Sequence, residues 1–283
     1  MHYLRPHTID AALARLAERP RRVLCGATDC FAVPALVPGR HEWVDISSID
    51  ALRGIVRHGG MVRIGAAATW EAIVQAAWLP VALRDAAAGV GSRQIRVQGT
   101  IGGNLCHASP VADGVPPLLA LDAQVELASV RGVRQLPLRD FVLGSHRTAL
   151  AADELLVAVT FALPAAPERT AFVKCTNRDG MALAVVSAAV RLRMADDDTL
   201  ANAAIAIGGA SAVPLRMAAL EAALAGRPWR ELAAVVADAS LTALSPIDDC
   251  RATAVHRIDL ARLAIARALN HCIEESAHDD SAN

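Results

Sequence analysis

The chain has 283 residues, 54% of them hydrophobic and only 3% aromatic, which predicts two domains with cores of Ala, Val, Leu and Ile and excludes general disorder. Lys plus Arg number 28 against 29 Asp plus Glu, so the net charge of -1, with one Tyr and four Phe, argues against a nucleic-acid binder. The longest apolar stretch, residues 181–190, is far short of the roughly 20 residues of a membrane span, and residues 1–7 show no signal pattern, which predicts a soluble, cytoplasmic protein.

Thr8 is placed to cap a helix whose apolar face is Ile9, Ala12, Leu13 and Leu16. Residues 21–25 read as a short buried strand broken by Gly26, and residues 43–46 as another. Ser47 or Ser48 then caps a short helix carrying Ile49, Leu52 and Ile55, and His58-Gly59-Gly60 turns into a strand over 61–65. Thr69 caps the next helix, with Glu71 in its first turn, where the dipole favours an anion, and with Trp70, Ile73, Val74 and Ala77 as its apolar face. A helix over 81–88 ends at Gly89, and a glycine-bearing run leads to Asn104. Pro116 and Pro117 open a short helix over 118–121, followed by strands over 124–128 and 155–161. The proline-bearing segment 163–168 reads as a linker. Beyond it come strands over 184–193 and 200–207, flanking the acidic turn Asp196-Asp197-Asp198, and helices near 217–225, 231–241 and 252–270.

Six cysteines are scattered without a CxxC pair and read as reduced thiols. Neither they nor the nine histidines have metal-ligand spacing, so no metal site is expected. Two glycine-bearing segments stand out: Cys25-Gly26-Ala27-Thr28-Asp29 and Thr100-Ile101-Gly102-Gly103-Asn104. Each offers consecutive backbone N–H groups in a tight curve, which can cradle phosphate oxygens, and facing each other they could hold a pyrophosphate without a cationic side chain. The plainer reading of either is a turn between strand and helix. Neither fits GxGxxG or GxxxxGK[ST], so Rossmann and Walker-A sites lack support.

Nearly the whole chain resembles one family. The run Tyr3-Leu4-Arg5-Pro6, the first glycine segment, Arg63-Ile64-Gly65-Ala66 with Thr69, and Gln94-Ile95-Arg96-Val97-Gln98-Gly99-Thr100-Ile101-Gly102-Gly103-Asn104 carry the resemblance. It continues through Ala108-Ser109-Pro110 and Asp113, nine residues after Asn104, to Pro117-Leu118-Leu119-Ala120-Leu121-Asp122. These motifs resemble the FAD-binding (medium) subunit of the molybdenum hydroxylases, which include xanthine dehydrogenase and carbon monoxide dehydrogenase.

The resemblance implies an α+β fold: a two-lobed FAD-binding domain of the vanillyl-alcohol-oxidase type over residues 1–165, with lobes about 1–56 and 57–165. A smaller α+β C-terminal flavoprotein domain follows over 169–275, then a tail over 276–283. It implies non-covalent FAD, with molybdopterin and [2Fe–2S] clusters carried only on a large and a small partner subunit, assembled as a dimer of heterotrimers. Electrons would pass from a partner cluster through FAD to NAD or another acceptor. The cofactor-binding residues carried over are Val23, Leu24, Cys25, Gly26, Ala27, Thr28, Asp29, Cys30, Thr100, Ile101, Gly102, Gly103, Asn104, Asp113, Leu156 and Lys174. No catalytic residue is carried over. Ala27 stands where the family usually has a second glycine, so a positive φ there would strain it. A Cβ at Gly102 or Gly103 is expected to block the diphosphate. Asp113 read alone is equally an N-cap for the helix near Pro116, Lys174 an edge-strand lysine and Leu156 a core residue. The four-cysteine cluster loop of some relatives is not expected, because the cysteines do not gather in one segment. The alternatives are a free-standing FAD-dependent reductase or oxidase of the same domain type, and a scaffold that has lost its cofactor.

Overall fold

The computed structural model describes residues 3–30, 42–195 and 198–279, with the backbone alone over 274–279. Asp196, Asp197 and residues 280–283 of the expected tail lie outside the described residues. The first unit begins with β1 (Tyr3–Leu4), α1 (Ile9–Glu18), β2 (Arg22–Leu24) and β3 (Trp43–Asp45), which form a small parallel sheet in the order β1-β3-β2. Thr8 caps α1 by accepting from the Ala11 N–H. The apolar face Ala12, Leu13 and Leu16 packs on Val44, Ile46, Ile49 and Leu52 and reaches Leu155 and Val157 of the next sheet.

That sheet is antiparallel, in the order β4-β5-β10-β6-β7, built from β4 (Ile55–His58), β5 (Met61–Gly65), β6 (Gln124–Ser129), β7 (Gly132–Pro137) and β10 (Leu155–Ala162). Between β5 and β6 lie α2 (Trp70–Gln75), α3 (Val81–Ala88), α4 (Arg93–Arg96), α5 (Ile101–His107) and α6 (Val115–Ala120). The helix α7 (Leu138–Phe141) and the hairpin of β8 (Val142–Gly144) with β9 (Arg147–Thr148) complete the unit. Ile55 does not extend a helix, as its spacing from Leu52 suggested. The helical turn stops at Leu52, without a side-chain cap, and Ile55 starts a hairpin strand pairing with Ile64. The antiparallel ladder, which satisfies every other backbone group of the strand, wins over a turn too short to persist.

The second unit is an antiparallel sheet of β11 (Arg169–Cys175), β12 (Val186–Met194), β13 (Leu200–Gly208) and β14 (Leu215–Arg216) in that order, with α8 (Ala218–Leu224), α9 (Leu232–Asp238) and the long α10 (Ala254–Asp279). Side chains alternate across a strand, and here both faces are buried. Ala171, Val173, Ala188, Val190 and Ile205 share a core with Ala261, Ala264, Ile265 and Leu269 of α10. Phe172, Ala189, Ala204 and Ala206, one residue out of phase, join the core of the first unit instead. This explains why the strands read as unbroken apolar runs. It also places Lys174, in phase with Phe172 and cross-strand from Ser187, toward the first unit.

Arg257 of α10 is 2% exposed, and its guanidinium donates to the Val185 and Gly209 carbonyls and pairs with Asp249, tying the helix to the sheet edge. No helix among the described residues is long and apolar enough to cross a membrane.

Candidate cofactor site

A cavity of about 530 Å³ opens between the small parallel sheet and the helical layer of the second sheet, within the range typical of ligand sites. Two segments meet across it. Residues 25–30 leave the end of β2, and α5 starts on the opposite wall. They touch at Gly26, where an added Cβ would stand 2.1 Å from the Gln98 carbonyl oxygen and 3.1 Å from Gly99 Cα. Only glycine allows this approach. The Cys25 thiol meets Thr100, and burial pushes its pKa up against the opposing Arg53 charge and Thr100 hydrogen bond.

Ala27 takes φ +56°, the left-handed region, and its carbonyl accepts from the Cys30 N–H at 3.2 Å, closing a turn. The strain expected of a non-glycine residue there is present. Among the described residues, none accepts from the N–H groups of Gly26, Ala27, Thr28 or Asp29, and all four residues line the cavity. Consecutive free N–H groups around a left-handed residue form a concave anion site.

The second segment differs from its reading as a phosphate nest. It is the first turn of a helix, and its N–H groups are occupied. Ile101 donates to the Ala68 carbonyl at 3.0 Å, Gly102 to Ala66 at 2.9 Å, and Asn104 to Thr100 at 3.1 Å. Gly103 donates to the capping Thr100 hydroxyl at 3.1 Å. The two glycines also separate in role. A Cβ on Gly102 would lie 2.6 Å from the Ala66 oxygen and 2.7 Å from Ala66 Cβ, so this glycine lets α5 pack on residues 66–68. Gly103 is exposed to the cavity, and the nearest atom to its added Cβ is the Thr100 hydroxyl at 3.0 Å. Of the pair, Gly103 is the one that leaves room for a ligand.

Val23, Leu24, Cys25, Gly26, Ala27, Thr28, Asp29, Cys30, Thr100, Gly102, Gly103, Asn104 and Leu156 all line this one cavity. Ile101 does not; it is fully buried in the core behind it. Sequence reasoning missed Trp70, Val90, Ile95, Cys106, His107, Thr148, Leu150, Glu154 and Leu155 on the walls. Ile95 is held there because Arg93 and Arg96 both pair with Glu71, at 3.1 Å each, fastening α4 to α2. Glu154 and the first two residues of β10, Leu155 and Leu156, line the cavity just before the strand's register shifts against β6 between Leu156 and Ala158.

Asp113 and Lys174 lie one layer behind the wall. Lys174 Nζ pairs with Asp113 Oδ2 at 2.7 Å and donates to the Gly89 carbonyl at 2.9 Å, one residue before the wall residue Val90. Asn104, also in the wall, sets its Oδ1 3.0 Å from where a Cβ on Gly114 would be. The capping alternative for Asp113 fails: Gly114 occupies the N-cap of α6 and no side chain caps it. Lys174 does lie on an edge strand, but its side chain is 14% exposed and paired. Burial pushes the Asp113 carboxyl up to about 6, outweighing the attraction and hydrogen bond of Lys174.

The two ends of the site therefore differ chemically. At the β2 end, residues 26–29 line the cavity with backbone N–H groups that have no acceptor among the described residues, while Arg21, beside them, is already paired with Glu18 and Glu42. Behind the opposite wall, Asn104 Oδ1 and Asp113 Oδ1 are buried acceptors without a hydrogen-bond partner among the described residues. Such orphans are costly, and these lie out of reach of the open cavity. The anion cradle of residues 26–29, the room left at Gly103 and the apolar walls Trp70, Val90, Ile95 and Leu156 fit the diphosphate and the ring system of FAD. Among the described residues no group of His, Cys, Asp and Glu could hold a metal ion.

Residues 1–165 match the family described as FAD binding domain in molybdopterin dehydrogenase, and residues 171–272 match the CO dehydrogenase flavoprotein C-terminal domain. The chain is 30% identical over 282 residues to the xanthine dehydrogenase FAD-binding subunit of Escherichia coli O157:H7, covering 96% of this chain and 95% of that one. To the carbon monoxide dehydrogenase medium chain of Hydrogenophaga pseudoflava it is 29% identical, covering 95% of each. The fold superposes with TM-score 0.89 on a structure of carbon monoxide dehydrogenase from Hydrogenophaga pseudoflava, at 28% identity over 95% of this chain and 96% of that one. For quinoline 2-oxidoreductase from Pseudomonas putida 86 the TM-score is 0.88, at 25% identity over 97% of both. With its α+β fold, its FAD-binding domain and its flavoprotein C-terminal domain, the chain belongs to the FAD-binding medium subunits of the molybdenum hydroxylase family of oxidoreductases, that of the xanthine dehydrogenase and carbon monoxide dehydrogenase medium chains.

Proposed function

We propose that this chain binds FAD non-covalently and relays electrons from a partner's [2Fe–2S] clusters to NAD or another acceptor. The observation that carries this reading is the cavity's first segment, Gly26 to Asp29, whose backbone N–H groups have no acceptor among the described residues and which lines the same cavity as Gly103 and the apolar walls. The first segment and Gly103 would hold the diphosphate, and Val90 and Leu156, with the Lys174–Asp113 pair behind the wall, would flank the isoalloxazine. FAD supplies the redox chemistry, and the protein supplies position and electrostatics. Lys174 places a cation where the reduced ring carries negative charge.

The complex contains a small iron–sulfur subunit and a large molybdopterin subunit, as a dimer of heterotrimers, and the organic substrate is oxidised on the large one. The relatives' names support a partnership of this kind: one is a subunit of xanthine dehydrogenase and another the medium chain of carbon monoxide dehydrogenase. The division into a FAD-binding domain over 1–165 and a C-terminal domain over 169–275 is supported by the two family matches. The absence of a disulfide at any of the six cysteines suits the cytoplasm.

The test is reconstitution. The purified chain mixed with FAD should show a resolved oxidised-flavin spectrum, and acid precipitation should release the FAD unmodified. Lys174→Met should keep FAD and lower its potential. A protein that folds and leaves FAD free contradicts the reading.

A further inference from the structure

We propose that Glu71 is an ionic latch that holds residues 90–98 shut, through Arg93 and Arg96, as a hinged flap on the wall of the cavity. The identity of the occupant comes from the cofactor reading above, whereas the latch belongs to the chain whether the cavity is filled or empty.

The flap is anchored at its ends and loose between them. The Gly89 carbonyl accepts from Lys174 at 2.9 Å, and the Gly99 carbonyl accepts from the Trp70 N–H at 3.0 Å. Between these anchors no residue from 90 to 98 is buried, and Ile95 and Val97 are 39% and 41% exposed. The backbone bonds stay inside the segment, with Arg96 donating to Ser92, Val97 to Arg93 and Gln98 to Ile95. Gly91, at φ +49°, closes the same turn, since a Cβ there would stand 3.0 Å from Ile95 Cβ. A self-contained turn that buries no side chain opens at little cost to the rest of the fold.

Its tether is one carboxylate. Glu71 accepts from Arg93 Nε on one oxygen and from Arg96 Nε on the other, at 3.1 Å each. Arg96 also donates to the Ala88 and Gly91 carbonyls, next to the hinge. Among the described residues, no other hydrogen bond or ion pair joins residues 91–98 to the chain outside the flap. Glu71 itself is firmly placed, because its helix α2 is fixed by the buried Trp70 and Ile73. The post is rigid and the flap is not.

The flap also bears on the cavity. Val90 and Ile95 line it, and the Gln98 carbonyl oxygen packs against Gly26, the first residue of the anion cradle. Lifting residues 90–98 therefore removes apolar wall and releases the contact that closes the cradle side. A partly exposed ion pair weakens as salt rises, so passage into and out of the cavity should quicken with ionic strength.

The test uses the full chain and its own thiols. Cys25 adjoins Gly26, lines the cavity and is half-buried, whereas Cys250 is exposed and outside the cavity. Both are labelled with N-ethylmaleimide, and the rates are read by peptide mass spectrometry. At low salt, Glu71→Gln should label Cys25 about three- to tenfold faster than wild type, the yield of one or two such ion pairs. The Cys250 rate and the melting temperature should not change, because the flap buries nothing. High salt should bring the wild-type Cys25 rate up to that of Glu71→Gln and leave the variant's rate where it was. Glu71→Asp, which keeps the charge, should restore the salt dependence. Equal Cys25 rates at low salt overturn the inference. So does a Glu71→Gln protein that melts earlier and labels faster at both cysteines, since that marks a merely structural residue.

In the FAD-loaded protein, Glu71→Gln should raise the FAD dissociation rate by the same factor, and an unchanged rate overturns the gating role. A wild-type chain that takes up no FAD removes the cofactor reading, and the Cys25 rates still decide the latch.

Discussion

Residues 25–30 and the first turn of α5 look alike as sequence, each a short glycine-bearing run after a strand or turn, yet they do opposite work. The first is an open turn whose backbone N–H groups find no acceptor among the described residues. The second is a capped helix start whose N–H groups are bound to Ala66, Ala68 and Thr100. Glycine serves close approach in both, at Gly26 against Gln98 and at Gly102 against Ala66. The lesson is that glycine content marks where backbones come together, and only the hydrogen-bond inventory tells which of them is free to bind an anion.

That contrast can be broken most severely at Gly26. Gly26→Val would drive a branched side chain into the Gln98 carbonyl, a backbone atom that cannot rotate away. The expected cost is about 3 kcal/mol of stability, with loss of FAD retention, read by thermal denaturation and by flavin content. A variant with wild-type melting and full FAD would dissolve the contact on which the contrast rests.

The buried Lys174–Asp113 pair behind the cavity wall is next. The Asp113 pKa is raised in the folded protein, to about 6, so the folded state holds its proton where the unfolded chain has released it. Its contribution is fully present below the unfolded value of about 4 and is lost as pH rises through about 6, a change of roughly 3 kcal/mol. Urea melts of the FAD-free protein should therefore show this group lowering stability from pH 4 to pH 7, and Asp113→Asn should flatten that decline. An identical decline in the variant would assign it to other groups.

The two glycines of α5 sharpen the comparison. Gly102→Ala should cost about 1–3 kcal/mol, because its Cβ meets the Ala66 backbone. Gly103→Ala should cost under about 0.5 kcal/mol, yet weaken FAD binding, since its Cβ enters the cavity. Titration calorimetry on both, beside their melts, would show stability and affinity falling in opposite order. A Gly103→Ala protein with unchanged affinity would move the diphosphate away from α5.

The smallest effect is at Ala27. Its left-handed backbone costs a non-glycine residue roughly 1–2 kcal/mol, and glycine returns part of that through unfolded-state entropy. Ala27→Gly should stabilise the protein by about 0.5 kcal/mol and leave FAD bound at least as tightly. A destabilised variant would show that the turn depends on the Ala27 methyl.

Much of this architecture was legible because it obeys local rules. Thr8 and Thr69 cap the helices they were expected to cap, and the helix over Val81–Ala88 matches its apolar period. The glycine segments could be found but not told apart, because glycine's poor helix propensity disguises α5 as a loop, and its reason, the Ala66 contact, is not local. Strand β7 was missed because four of its six residues are exposed, so no apolar alternation marks it. Leu155 enters the cavity at the start of β10, which pairs it with Ala128, and Leu150 and Glu154 come with the loop before it, which nothing in their own neighbourhood announces. The Lys174–Asp113 contact, 61 residues apart, is of the same kind. Resemblance named both residues, and only the fold shows that they face each other.

Backbone amide hydrogen exchange of the chain, with and without FAD, tests the central claim most directly. Without FAD, the amides of Ile101, Gly102 and Asn104 should already be protected, and those of Gly26, Ala27, Thr28 and Asp29 should exchange freely. FAD should protect the second group and leave the first almost unchanged. Protection gained at residues 101–104, with none at residues 26–29, would contradict the account and place the diphosphate on α5.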